Sequence, residues 1–92
     1  MLINTFRRNL SITINERQSD GFVEITNVEP SGADYVSNWR FELDEKRDGQ
    51  VFGVDRIQSF VLCLKILDAY IDGAIKRGVS VTWNGDSPKL LP

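Results

Sequence analysis

The sequence contains no histidine, and its single cysteine is Cys63. Histidine is the commonest general base near neutral pH and the commonest metal ligand in proteins. Its absence excludes Ser-His-Asp and Cys-His catalytic arrangements, and a lone cysteine leaves no zinc site of ordinary spacing. One cysteine also excludes an intrachain disulfide. We therefore expect a non-enzymatic protein with no catalytic residue, no metal ligand and no cofactor.

The chain also lacks a long apolar run and an excess of basic residues. No segment is apolar over the roughly 20 residues that a membrane-spanning helix needs. At the start of the chain Asn4 and Thr5 interrupt the apolar residues, so we expect no signal peptide. The net charge is −2, whereas a nucleic-acid-binding surface needs a basic face. We therefore expect a cytoplasmic protein that binds neither nucleic acid nor membranes.

The composition that remains is typical of a folded domain. The 92 residues are 41% hydrophobic and 26% charged, which indicates a globular rather than a disordered chain. This length fits one domain, residues 1–92. A domain of this size has a free energy of unfolding of about 5–14 kcal/mol.

The clearest element is a helix in the stretch from Val54 to Gly78. Asp55 can cap its start by accepting hydrogen bonds from backbone N–H groups of the first turn. Gln58 lies three residues later, where a capping box has Glu or Gln. At the other end Lys76 complements the helix dipole, and Gly78 can take the left-handed conformation that often ends helices. The sequence therefore predicts a long, capped helix.

Apolar residues surround more of this helix than one core-facing stripe requires. An ordinary surface helix has an apolar arc of about 100° or somewhat more, and Leu62, Ile66 and Tyr70 widen this one on its flank. Three interpretations stay open: the chain's own tail covers the flank, a second subunit contacts it through these three residues, or it borders a ligand groove. Cys63, on the same arc, is expected to be a small buried hydrophobic residue. The predicted main face consists of Ile57, Phe60, Leu64, Leu67, Ile71, Ala74 and Ile75.

Two carboxylates, Asp68 and Asp72, lie one turn apart on this helix. Such a pair shares a proton when it is buried. Lys65 and Lys76 lie at i,i+3 and i,i+4 spacing from them, where ion pairs form on a helix surface. We therefore interpret both carboxylates as ion-paired surface residues.

Alternation of apolar and polar residues predicts strands on both sides of the helix. Short connections favour antiparallel neighbours, and one apolar face per strand implies a sheet covered on one side. The sequence therefore predicts an α+β two-layer sandwich, β-β-β-β-α-β, in which one long helix covers a four-stranded antiparallel meander and a short fifth strand follows. We place the first turn at 18–21 and interpret Arg7 and Arg8 as a solvated strand end. The predicted strands are 10–14, 22–28, 35–43 and 50–53 before the helix and 79–83 after it.

Two tryptophans are the aromatic candidates for a binding site. Trp39 lies on the third predicted strand and Trp83 on the fifth. Such rings can stack on a base or a sugar, but their strand positions favour packing in the core or at its rim. The alternative is a small-molecule pocket between Trp39, Trp83 and the helix, in which Asp55 or Asp68 would supply the reactive carboxylate.

The strand-to-helix junction from Gly53 to Gln58, together with Trp83 and Gly85, resembles a family of short bacterial proteins of unknown function. Those proteins share a strand-rich N-terminal half, a G-V-D-x-x-Q helix start and a late tryptophan followed by a glycine. The residues of this motif form a helix cap and part of a core, so their role is structural. The resemblance therefore implies a fold but no activity, and Asp55 and Gln58 stay assigned to capping.

Three functions stay open from the sequence. The first is a non-enzymatic protein-interaction module that forms a homodimer, because the helix is apolar over too wide an arc and the sheet has two free edges. The second is a partner-specific inhibitor or immunity-type protein of a bacterial conflict system, because acidic surfaces can pair with basic enzymes. The third is a small-molecule binder that uses the tryptophan pocket described above.

Overall fold

The computed structural model describes residues 3–31 and 34–92, which form five strands and one helix. The helix packs on one face of a single sheet, so the predicted two-layer α+β fold and its element order are confirmed. The elements are β1 (Ile3–Ile14), β2 (Arg17–Ser31), β3 (Asp34–Glu42), β4 (Lys46–Gly53), α1 (Arg56–Lys76) and β5 (Ser80–Thr82).

The strands lie in the order β4-β3-β2-β1-β5, and every neighbouring pair is antiparallel. β5 joins the β1 edge, with Ser11 opposite Thr82 and Thr13 opposite Ser80. The fifth strand therefore covers only one end of β1. Within the part of the chain that the structure describes, the rest of that β1 edge and the whole outer edge of β4 have no strand neighbour.

The first hairpin turns earlier than predicted. Asn15 and Glu16 have φ values of 49° and 66°, and two successive positive φ values match the twist of a two-residue hairpin. The prediction of a turn at 18–21 is therefore wrong, because these residues belong to β2. A Cβ added at Gly21 would overlap the Ile12 side chain. Gly21 is thus explained by close packing rather than by a turn.

The buried stripe of α1 is rotated relative to the predicted main face. Leu67, Ile71 and Ala74 are buried as predicted, whereas Ile57 and Ile75 are 75% and 44% exposed. The predicted face is wrong at these two positions. For Ile57 the reason is that the helix start approaches the sheet through small polar residues, which carry no hydrophobic signal. The buried residues of α1 are Ser59, Cys63, Leu67, Asp68, Ile71 and Ala74.

A chain of hydrogen bonds replaces apolar packing at the start of the helix. The hydroxyls of Ser37 and Ser59 are fully buried and lie 2.7 Å apart. Ser59 Oγ donates to the Arg56 carbonyl at 3.1 Å, so Ser37 is the donor to Ser59. Asn27 Nδ2 in turn donates to Ser37 Oγ. Because buried polar groups are costly unless paired, this chain fixes the position of α1 over β2 and β3.

Cys63 lies one turn further along the same stripe. Its Sγ atom is 3.8 Å from the Ser37 carbonyl oxygen, and the side chain is fully buried. Burial raises the pKa of the thiol to about 11, so Cys63 stays protonated and unreactive at neutral pH. The prediction of a small buried hydrophobic residue is confirmed.

The C-terminal tail covers the side of α1 that carries Asp68 and Asp72, which is not the flank of Leu62, Ile66 and Tyr70 where the first interpretation placed it. The Asp68 carboxylate accepts hydrogen bonds from the backbone N–H groups of Leu90 and Leu91, at 2.7 and 2.9 Å. Lys89 Nζ lies 2.7 Å from Asp72 Oδ2, and Leu90 packs against the core. The tail is therefore bound at the helix by a buried carboxylate and an outer ion pair.

The ion pairs expected within the helix are not the ones that the structure shows. Asp68 is only 6% exposed and serves the tail, and Asp72 pairs with Lys89 instead of Lys76. The interpretation of both carboxylates as partners of helix lysines is wrong. The interpretation failed because the spacing of residues along one helix does not show that a distant segment, here the C-terminal tail, packs against that helix.

The opposite end of α1 is tied to the turn between β3 and β4. Arg77, the C-terminal cap residue, donates to both carboxylate oxygens of Asp44 at 2.9 Å. This bidentate geometry is the strongest form of an arginine–carboxylate contact. The hydrogen-bonded guanidinium of Arg77 holds the pKa of Asp44 below its ordinary value of 3.8.

The lowered pKa of Asp44 predicts an acid-sensitive contribution to stability. A group whose pKa is depressed by folding stabilises the protein fully above its unfolded pKa, and this contribution is lost as the pH falls through the folded pKa. Arg77→Gln should therefore unfold at lower urea concentration than wild type at pH 7, with a difference that shrinks below about pH 4. Lys76→Gln, which removes a neighbouring cation, should show no such pH dependence. A difference between Arg77→Gln and wild type that is the same at pH 7 and pH 3 would contradict this assignment.

The other face of the sheet has no layer on it in the described part of the chain. Glu24 lies between Arg7 and Arg40, at 3.3 and 2.9 Å. The two guanidinium carbons lie 4.0 and 5.0 Å from the centroid of the Phe22 ring. Cation–π contacts therefore cover this aromatic residue, and the outer face around Phe22 presents charge rather than apolar surface.

Candidate functional site

The predicted helix cap is confirmed and has a structural role. The Gln58 backbone N–H donates to Asp55 Oδ1 at 2.7 Å. Gln58 Oε1 accepts from the Val54 backbone N–H, also at 2.7 Å. These reciprocal hydrogen bonds are those of a capping box with one difference. The Gln58 side chain accepts from the backbone N–H of the residue before the N-cap, not from that of the N-cap residue itself. Both side chains are used in starting the helix.

The predicted interface on the helix flank lies largely against the core. The Tyr70 ring is 4.6 Å from Phe41 and 5.4 Å from Trp39, measured between centroids. Ile66 also packs against the core, and Leu62 is partly buried. The sheet around β3 therefore covers most of the surface that the sequence assigned to a second subunit.

The two tryptophans occupy different environments. Trp39 is 9% exposed and stacks on Phe41 at 6.1 Å. Trp83 is 38% exposed, and the Arg8 guanidinium lies over its ring at 3.8 Å. Trp39 belongs to β3 and Trp83 follows β5, with β2 and β1 between these strands. The structure does not bring the two rings together into one pocket.

An exposed apolar patch lies where β4 leads into the helix. Phe52, Val54 and Ile57 are 60%, 77% and 75% exposed, and we call these three residues the β4 patch. Phe52 lies opposite Val36 of β3 on the face away from the helix. The register of β4 on β3 puts Phe52 on the side opposite to the buried Trp39 and Phe41, and alternation within β4 alone does not fix that side. Ile57 was missed because its helical spacing matches that of core residues.

A groove runs between β1, the helix and the tail. Its volume is about 200 Å³, and we call it the β1 groove. Phe6 and Phe60 form one end of it with their rings edge to face, 5.1 Å apart. Most of the lining side chains are apolar. The lining residues are Phe6, Arg7, Arg8, Val23, Glu24, Ile25, Phe60, Leu64, Leu67 and Leu90.

Arg8 is the charged group of the β1 groove that no carboxylate neutralises. Its Nη1 donates to the Lys89 carbonyl at 3.2 Å, and its guanidinium stacks on Trp83. Among the residues described, none of the ion pairs involves Arg8. The interpretation of a solvated strand end fits Arg7, which is on the outer face, but not Arg8. Strand alternation could have separated the two, because Arg8 shares a face with the buried Leu10.

Within residues 3–31 and 34–92, no three His, Cys, Asp or Glu side chains lie close enough to hold a metal ion. The helix found in those residues is not long and apolar enough to cross a membrane. The two surfaces that the structure shows are an apolar patch beside a free strand edge, and an apolar groove with one cation that no carboxylate neutralises.

These features define the class of molecule as a small two-layer α+β protein with unpaired sheet edges. No protein-family model, no curated protein and no solved structure matches this chain. The resemblance to the short bacterial family stays a prediction.

Proposed function

We propose that this chain is a cytoplasmic, non-enzymatic protein-interaction module that forms a homodimer through the free edge of β4. The supporting observation is the β4 patch, three apolar side chains within residues 52–57 that are 60–77% exposed. Exposed apolar surface of this kind, concentrated in one place, is typical of interaction sites. The lone buried thiol fits a reducing compartment.

A second copy of this chain can pair with the free edge of β4 and cover the β4 patch at the same time. An unpaired edge strand presents a row of backbone donors and acceptors that another strand can complete. A two-fold interface is self-complementary, so each copy contributes its own edge and its own apolar patch. We place the axis at Phe52, where Phe52 of one protomer lies opposite Phe52 of its partner and Val54 opposite Gln50. The charged start of β4, residues 46–48, then lies outside the apolar centre.

Phe52→Glu should convert the dimer to a monomer. It places a carboxylate opposite its own symmetry mate in an apolar contact, where two like charges repel and lose water. Light scattering after gel filtration at tens of micromolar measures the mass, with a wild-type value expected at twice 10.4 kDa. Ile14→Glu is the matched control, since Ile14 is also an exposed apolar residue but lies at the far hairpin. A monomeric wild type, or a Phe52→Glu variant that stays dimeric, would overturn the proposal.

Cysteine cross-linking tests the position of the axis. Phe52→Cys should form a disulfide-linked dimer under mild oxidation, because residues directly opposite each other in an antiparallel pair have Cβ atoms about 4.5–5.5 Å apart. The closest of these pairs need only a small adjustment to reach the Cβ separation of about 3.5–4.5 Å in a disulfide. The native Cys63 is fully buried and does not compete. Asn9→Cys, on the exposed part of β1, should remain a monomer on a denaturing gel. Equal cross-linking at both positions would exclude an axis at Phe52.

A further inference from the structure

We propose that the β1 groove binds a small amphipathic monocarboxylate, with its carboxylate on Arg8 and an apolar body of about eight carbon atoms along the helix. The proposal rests on the groove and on Arg8, and it is independent of the homodimer. Two observations carry it: a partly buried cation without an acidic partner, and an apolar groove that begins beside that cation.

The first observation concerns the state of Arg8. A guanidinium has five N–H donors in a planar fork, and the structure engages Arg8 through one hydrogen bond to the Lys89 carbonyl. Arg40 and Arg77, by contrast, have carboxylate partners. Withdrawing a cation from water without a counter-charge is unfavourable. Arg8 is thus held in place by Trp83 and the tail with donor capacity left for an anion.

The geometry of a single arginine favours a carboxylate over a phosphate. The guanidinium fork matches the two oxygens of a carboxylate through two parallel hydrogen bonds. Phosphate groups in proteins usually draw on several cations or on the backbone N–H groups at a helix start. The start of α1 is already occupied by its own cap, Asp55 and Gln58.

The apolar lining and the volume define the rest of the ligand. Beyond Arg8 the groove is bordered by Phe6, Phe60, Leu64 and Leu90, which offer no hydrogen-bonding side-chain group. An apolar cavity of about 150 Å³ holds a benzene molecule, so the 200 Å³ of this groove accommodate a body slightly larger. Drug-sized ligands occupy pockets of about 300–1,000 Å³. The ligand class is therefore a short acyl chain or a similar compact apolar acid.

Octanoate is the probe, titrated into the full chain by calorimetry and by amide chemical-shift mapping. We expect saturable binding of one octanoate per protomer, with shifts at Arg8, Phe60 and Leu90. Octan-1-ol has an apolar chain one carbon longer and no charge, and acetate has the charge with only a methyl group. Both should bind at least tenfold more weakly. No saturable octanoate binding, or equal binding of octan-1-ol, would overturn the proposal.

Variants separate the role of the cation from that of the fold. Arg8→Gln should weaken octanoate binding about tenfold or more, since it removes a charge-assisted bond. Arg17→Gln removes an arginine from the exposed start of β2 and should leave binding unchanged. Leu64→Phe fills the groove without touching the cation and should also weaken binding, which gives a second test if Arg8→Gln does not fold. Unchanged binding in Arg8→Gln or in Leu64→Phe would refute the assigned site.

Discussion

Replacing Gly53 by alanine is expected to lower the free energy of unfolding by about 1–3 kcal/mol, the usual cost of overpacking a filled site. A Cβ at this position would lie 2.7 Å from the Ser59 backbone nitrogen and 3.1 Å from its Cα atom. These are backbone atoms of the first helical turn, so they cannot move aside as the tip of a side chain can. Urea unfolding followed by circular dichroism measures the loss.

The physical reason lies in the contact beneath the helix start. Gly53 ends β4, and Ser59 enters the buried hydrogen-bond chain through Ser37. A methyl group that pushes the first turn outward would lengthen the bond between the two serine hydroxyls, which have no access to water. The cost of overpacking and the cost of a weakened buried hydrogen bond therefore act in the same direction.

Gly73→Ala is the matched control, because it should have the opposite sign. Gly73 lies inside α1, where alanine is favoured over glycine by about 1 kcal/mol. A Cβ there would meet only the end of the Arg77 side chain, at 3.3 Å. Gly73→Ala should thus unfold at equal or higher urea concentration than wild type. A Gly53→Ala variant as stable as Gly73→Ala would show that the helix start is not tightly packed on β4.

Local signals in the sequence predict the elements well. The cap at Asp55 and the alternation in the third strand depend on residues within a few positions of one another, and both appear in the structure as predicted. The β-β-β-β-α-β order follows from those elements and from short connections. This part of the fold could be predicted because its physical causes are local.

Contacts between distant segments account for what the sequence did not predict. Ile57 was expected in the core, but the helix meets the sheet through Ser59 and Ser37, a polar contact that hydrophobic periodicity does not register. Likewise, the role of Asp68 depends on a tail more than 20 residues away, and its partner atoms are backbone N–H groups that every residue has. Pairing of this kind has no compositional signature.

The β4 patch and the β1 groove are likewise only partly predictable from local signals in the sequence. The outer position of Phe52 follows from the register of β4 on β3, whereas strand alternation alone assigns Arg8 to the helix face. It does not show that Phe52 lies at an unpaired edge, which follows from the strand order. Nor does it show that Arg8 meets Trp83 and the tail, which follows from β5 adding to β1 rather than to β4.

Asp68→Ala is expected to destabilise the protein by about 1.5–3 kcal/mol, the range for a hydrogen bond to a charged group. The substitution removes the acceptor of two backbone N–H groups, those of Leu90 and Leu91, and leaves a small cavity at a site only 6% exposed. Without this anchor the tail should leave the helix. Urea unfolding measures the loss of stability, and digestion by a carboxypeptidase measures the release of the tail.

Two further variants separate this anchor from ordinary surface charge. Asp68→Asn keeps one oxygen acceptor but replaces the other by an amide donor facing a backbone N–H, so its loss of stability should lie between those of wild type and Asp68→Ala. Asp72→Ala removes only the outer ion pair between Asp72 and Lys89. The Asp72 side chain is 51% exposed, and exposed ion pairs contribute little to the free energy of unfolding. Its tail should stay resistant to digestion. If Asp72→Ala released the tail as readily as Asp68→Ala, the tail would be held mainly by surface charge, and the buried carboxylate would not be its anchor.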